Sequence, residues 1–323
     1  MNITYQLVCS RTKKMWMAVS EKAAATWLHR LLVAGALILS ILMVSIGEAQ
    51  ALDPGELPTN GQVIAGEADI SQSGSSMTVE QQTEHMVAEW DTFNIGTDAS
   101  VNFQQPGTSS VALNRIHDQN PSQIFGSLTA NGQIYLLNPS GVYFGPTAQV
   151  DVGALTASTL NISNDNFLAG KYSFEKSGNA GSVINEGVIQ AFKGGYVAFI
   201  APEIRNQGTI NTPSGTTVLS AGNRVSLDFT GDSLVTFTVD QGAIDAQIEN
   251  KGIIQADSGT VIMTARAADE LTQAVINNSG KIEAKTLENR SGRILLLSDM
   301  ESGETIVGGR LDASAPDGGD GGF

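Results

Sequence analysis

The sequence predicts an all-β fold, a parallel β-helix closed at its N-terminal end, and three observations carry that expectation. First, a nine-residue unit, Val183-Ile184-Asn185-Glu186-Gly187-Val188-Ile189-Gln190-Ala191, recurs at 204–212, at 248–256 and, one residue longer, at 275–284. Second, each copy is followed by a glycine-led run, at 195–200, 215–220, 259–264 and 292–297. Short runs rich in Val, Ile and Thr, bounded by Gly and Asn, read as strands. Third, no helical periodicity interrupts the pattern. A unit of about 21 residues is too small to bury its own apolar face, so neighbouring units must stack.

The repeat also sets a geometry. Gly187, Gly208, Gly252 and Gly280 are separated by 21, 44 and 28 residues. The 44-residue interval reads as two periods, and the last as one period with an insertion. Residues 52–323 at this period give roughly 12 coils, and at ~4.8 Å per coil a rod on the order of 60 Å long. Asn185, Asn206, Asn250 and Asn277, with Asn278 as the alternative last rung, are expected to stack as an amide ladder.

Composition limits the function classes. Of 323 residues, 41% are hydrophobic and 16% charged, enough for a core and unlike a charge-driven disordered chain. The 33 acidic and 18 basic residues give a net charge of -15, which argues against nucleic acid as a partner. The one cysteine, Cys9, permits neither a disulfide framework nor a multi-cysteine zinc site. Glycine, at 35 against 9 prolines, suits a fold with many tight turns.

The elements then follow in order. Arg11, Lys13, Lys14, Lys22 and Arg30 precede an apolar run over 31–46 that ends at Ala49-Gln50-Ala51. A basic region, an apolar region and small residues two apart are the signature of a secretory signal peptide, here expected to be cleaved after Ala51 by a signal peptidase following the general secretion machinery. Removing residues 1–51 takes away Cys9 and leaves 13 basic against 31 acidic residues, a net charge of -18. Residues 57–105 break the repeat and contain Trp90, the one tryptophan beyond the leader, so they are assigned as the N-terminal cap. Residues 52–300 are expected to form the β-helix, and 301–323 the start of a further coil or linker of a truncated, longer product.

Asn138-Pro139-Ser140-Gly141 reads as a type I turn, with Asn first, Pro fixing φ second and Gly closing it. Catalytic and metal chemistry are not evident. His85 and His117 have no paired ligand spacing, there is no Gly-x-Ser-x-Gly elbow, and Asp228, Asp240 and Asp257 are dispersed. No catalytic residue, metal or cofactor is assigned, and the chain is not read as an enzyme.

Two resemblances are specific. Met1-Asn2, Tyr5, Leu7-Val8, Trp16 and Val19-Ser20-Glu21 resemble the extended signal peptide region of very large exported proteins of Gram-negative bacteria. The blocks Trp90-Asp91-Thr92-Phe93-Asn94-Ile95-Gly96, Ala112-Leu113-Asn114-Arg115-Ile116, Gln133-Ile134-Tyr135-Leu136-Leu137-Asn138-Pro139 and Ala154-Leu155-Thr156-Ala157-Ser158-Thr159 follow in the order of another family. They resemble the N-terminal two-partner secretion, or haemagglutination activity, domain of the filamentous haemagglutinin family. The resemblance implies a right-handed parallel β-helix with an N-terminal cap, on an exoprotein that reaches the surface or medium through the periplasm. It implies an outer-membrane barrel transporter whose periplasmic domains recognise the domain before it folds, and adhesion through host-cell or matrix receptors. It also implies that Asn138, Pro139, Ser140 and Gly141 are recognised by the transporter, with Ser140 standing where the family has asparagine. A toxin carrier lacking its active part and a β-helical polysaccharide-degrading enzyme are the alternative readings.

Overall fold

The computed structural model describes residues 5–10, 15–20, 52–230, 233–268, 273–287, 291–300, 302–316, 318 and 320–322. It divides into two units, Met1–Ala51 and Leu52–Phe323. In the first, Tyr5–Ser10 and Met15–Ser20 form an antiparallel pair. The cleavage residues Ala49 and Ala51 lie outside the described residues.

The second unit is a β-helix whose coils present three faces. On the first face seven parallel strands stack in register: Ser122–Ile124, Val142–Phe144, Ser182–Asn185, Glu203–Asn206, Ala246–Asn250, Ala274–Asn278 and Gly303–Val307. The second runs from Ser76–Gln81 and Ser100–Gln104 through Val188–Ala191, Thr209–Asn211, Ile253–Gln255 and Lys281–Glu283 to Arg310–Asp312. The third runs from His85–Trp90 and Val111–Ile116 through Tyr196–Ile200, Thr216–Ala221 and Thr260–Ala265 to Arg293–Ser298. Ser127–Leu137 and Gln149–Ser158 are long enough to bend from the second face into the third.

Inward side chains of all three faces merge into one apolar column that includes Val79, Trp90, Phe103, Leu128, Leu155, Phe199, Ile210, Ile254 and Ile282. Burying such side chains contributes roughly 1.5–3 kcal/mol each, which is how units too small to fold singly become stable together. The repeat glycines serve this stacking. A Cβ on Gly208, Gly252, Gly280 or Gly309 would collide with the carbonyl oxygen of Gly187, Gly208, Gly252 or Gly280 in the coil beneath. They are required by close backbone approach, since the left-handed glycines of the described chain are others.

Three expectations are corrected. The 44-residue interval is one coil, because Glu203–Asn206 pairs directly with Ala246–Asn250. The remaining residues leave the helix as the antiparallel strands Arg224–Thr230 and Ser233–Gln241. A similar excursion carries the short helix α1 (Asn164–Leu168) and the strand Tyr172–Glu175. Because these excursions consume chain, seven strands stack on the first face where about twelve coils were expected. Finally, coil pairing already begins at Ser76, inside the segment assigned to the cap. Covering falls to Gln62–Ala65 and Ala68–Ser73, which pair antiparallel with His85–Trp90 and Ser76–Gln81. An antiparallel cover closes a strand edge that a further parallel coil would otherwise extend.

Candidate transporter-recognition turn and the amide ladder

The strand Ser127–Leu137 ends where Asn138 turns the chain from the third face toward the first. The turn is closed by the Gly141 N–H donating to the Asn138 carbonyl at 3.0 Å. Asn138 is fully buried and all its polar groups are engaged. Its backbone N–H donates to Ser158 O at 3.0 Å, and its Oδ1 accepts from the Ser140 N–H at 2.9 Å. Its Nδ2 donates to Asn120 O at 3.1 Å and to Ser122 Oγ at 3.0 Å. Pro139 O accepts the Gly181 N–H at 2.7 Å, which ties the turn to the next coil. Ser140 donates through Oγ to Asp118 O at 2.8 Å. Gly141 lies at φ +130°, a conformation that glycine adopts without strain. Beside the turn is an open groove of about 570 Å³, with His117, Asp118, Gln119, Ser140, Ser177 and Asn179 among its lining residues. Pro139 and Ser140 are only half buried, so they are what the folded turn presents to solvent.

The ladder occupies the inner side of the first face. Asn185 Nδ2 donates to Asn206 Oδ1 at 2.8 Å, Asn206 Nδ2 to Asn250 Oδ1 at 2.7 Å, and Asn250 Nδ2 to Asn278 Oδ1 at 2.6 Å. The fourth rung is therefore Asn278, not Asn277. The register pairs Asn250 with Asn278 and Glu249 with Asn277, and one step along a strand reverses the direction of the side chain. Four fully buried amides held at coil spacing are structural members.

A family model for the TPS secretion domain matches residues 49–311. The chain belongs to the TPS secretion domain family. A heme/hemopexin-binding protein of Haemophilus influenzae strain Rd is 32% identical over 253 residues, covering 76% of this chain and 27% of that protein. A second heme/hemopexin-binding protein of Haemophilus influenzae is 28% identical over 283 residues, covering 81% of this chain and 30% of its own length. The chain thus spans less than a third of the curated relatives it matches. Among solved structures, the crystal structure of the HMW1 secretion domain from Haemophilus influenzae superposes with a TM-score of 0.70 at 29% identity, covering 78% of this chain and 65% of that one.

Within this TPS secretion domain, sequence reasoning missed three groups of residues. The Trp90 indole N–H donates to Asn114 Oδ1 at 3.0 Å inside the core, and Asn114 Nδ2 donates on to Ala112 O and Tyr135 O. Gln105 Nε2 donates to Gln81 Oε1 at 3.0 Å and also reaches the backbone carbonyls of Ser110 and Gln133, making a buried amide pair in the N-terminal coils. Its signal was present, since Gln81 and Gln105 lie 24 residues apart, about one coil. Arg115 reaches out of the third face to Asn161 Oδ1, Asn164 Oδ1 and Ile162 O, fastening the α1 excursion to the helix. Burial pulls the Arg115 pKa down, and Glu89, 3.5 Å away, opposes that shift.

The two histidines occupy separate settings, His85 edge-on to Phe167 and His117 at 3.5 Å from Glu89. Asp240 accepts from Ser226 Oγ, and Asp257 from the Lys285 N–H. Among the described residues no three His, Cys, Asp or Glu side chains gather into a metal-binding group.

Proposed function

We propose that this chain is the export module of a two-partner-secreted exoprotein of a Gram-negative bacterium. Residues 1–51 address it to the general secretion machinery and are removed by signal peptidase after Ala51. An outer-membrane barrel transporter then reads the domain in the periplasm and passes it to the surface. The observation that carries this reading is the stacking order. Beyond the cap each coil pairs with the coil before it, so a chain delivered from its N-terminus can add coils as they emerge. Burial of Asn138 adds a constraint. Its side chain is inaccessible once Ser122 and Asn120 hold it, so a transporter that reads Asn138 directly must do so before residues 118–141 fold. Asn138→Ala with Pro139→Ala is expected to lower surface export while periplasmic supply stays at its normal level. Unchanged export, measured by surface immunoblot against periplasmic content, overturns the recognition role.

The cargo has two readings. Adhesion or haemagglutination follows the family resemblance. Binding of heme or hemopexin is favoured by the two curated relatives that bear that name. Haem titration and a hemopexin pull-down on the exported protein separate them, since an adhesin that binds neither ligand removes the second reading.

A further inference from the structure

We propose that residues 223–242 form a clasp that closes over coils already stacked and holds several of them together along the rod axis. The path of the chain shows that these residues are not needed to build a coil. Ala221 pairs with Ala265 and Ala243 with Ala267 in the coil above. In that upper coil the single residue Arg266 makes the connection, whereas in the lower coil residues 222–242 lie between the same two positions.

The excursion lies on the outer side of the third face. Arg224–Thr230 pairs antiparallel with Tyr172–Glu175, the strand of the earlier excursion. Among the described residues its other backbone pairing is the single bridge between Glu175 and Asn161, so the rest of the strand stays unpaired until residues about 50 positions downstream arrive. Together the two excursions cover a second apolar core distinct from the one inside the coils. Tyr172 and Phe174 stack on Tyr135, Phe229 packs on both Tyr172 and Tyr196, and Val225, Leu227 and Val239 are buried in the same core. Beneath them Tyr135, Tyr196, Val218 and Ile262 come from four different strands of the third face. Backbone ladders join each coil only to its neighbours, whereas this packing spans several coils at once. Arg266 Nη1 donating to Val239 O adds a polar tie to the coil above the excursion.

The consequence is an order of events. The coils through Thr216–Ala221 can stack with their outer tyrosines uncovered, and closing the clasp buries those tyrosines and resists peeling of the rod. This is a property of the folded chain and stands whether or not a transporter reads residues 138–141.

The test uses the full chain, the chain lacking residues 223–242 so that Ala221-Gly222 joins Ala243, and Leu227→Asp. Refolding is followed by far-UV circular dichroism for coil formation and by near-UV tyrosine circular dichroism for the covered face. The full chain is expected to gain its far-UV signal before its tyrosine signal. Both altered chains are expected to keep the far-UV step, lose the tyrosine step, and unfold at least ~10-fold faster. Simultaneous signals in the full chain overturn the proposal, as does a deleted chain that unfolds at the rate of the full one. So does failure of both altered chains to gain β-structure, which makes the hairpin part of the folding nucleus.

Discussion

One position on the first face is filled in two ways along the rod. In the N-terminal coils it holds Ile95, Ile124 and Phe144, while in the following coils the same register holds Asn185, Asn206, Asn250 and Asn278. All seven are buried. Apolar rungs stack without needing a particular neighbour. Amide rungs each depend on the next, because a buried N–H or C=O without a partner costs about 1–3 kcal/mol. An amide ladder therefore has ends, and the two ends differ. At the first, Asn185 Oδ1 accepts the Gly187 N–H at 3.1 Å. At the last, Asn278 Nδ2 is buried and has no hydrogen-bond partner among the described residues, under Val307. Repetition with amides gives register at the expense of sensitivity at every rung, and the last coil begins where that register signal stops.

This contrast can be broken experimentally, and the central rung has the largest expected effect. Asn206→Ala orphans both Asn185 Nδ2 and Asn250 Oδ1, so it should destabilise the domain by about 2–5 kcal/mol in urea unfolding. A loss below about 0.5 kcal/mol would mean that the amides are no more coupled than apolar rungs. Asn278→Ala should cost less, about 1–2 kcal/mol, because it orphans Asn250 Nδ2 while removing a donor that has no partner among the described residues. Asn277→Ala, its half-buried neighbour, should change stability by no more than about 0.5 kcal/mol. The reverse order for these two would return the fourth rung to Asn277.

Val307→Asn offers Asn278 an acceptor and should stabilise by about 0.5–1.5 kcal/mol. Hydrogen exchange in Gly303–Val307 would show it, and faster exchange in the variant would count against the ladder's end being a weak point.

The smallest effect is at the junction between the two kinds of rung, where the Tyr143 hydroxyl donates to Glu186 at 2.6 Å. Burial, reinforced by the bond to Glu186 and its charge, pushes the Tyr143 pKa up to about 12 from 10.0. Because the folded value lies above the unfolded one, the contribution is complete below pH 10 and disappears as pH rises through about 12. Tyr143→Phe should flatten the alkaline fall of the melting temperature over that range, and an unchanged slope would remove Tyr143 as its source.

Legibility in the sequence followed the same division. The coils with asparagine rungs announced themselves because one residue type recurs wherever a rung is needed. The N-terminal coils have the same backbone stack but satisfy their polar groups differently at each level, through Gln81 with Gln105, through Trp90 with Asn114, and through Asn138 with Ser122. No single repeat expresses those solutions, and family resemblance was needed to see that region. The turn at 138–141 was legible because Asn, Pro and Gly each restrict the backbone locally. That Asn138 faces inward was not, because its partners come from residues 120 and 122, which turn preferences do not reach.

The clasp left a fainter trace. Tyr196–Ile200 is apolar at every position and buried throughout, whereas Val188–Ala191 alternates between exposed or half-buried and buried. An unbroken apolar strand in a helix of coils means that something covers its outer side.

By itself the sequence determined the strand-by-strand repeat and the stacking of coils, because period, glycine placement and apolar alternation are local properties of the chain. Only the tertiary structure decided which residues leave the rod, which asparagine forms the last rung, and that Asn138 is hidden once folded. Those outcomes depend on contacts between residues tens of positions apart, and a difference of one residue in register, invisible in a spacing count, decides whether a side chain points into the core or into water.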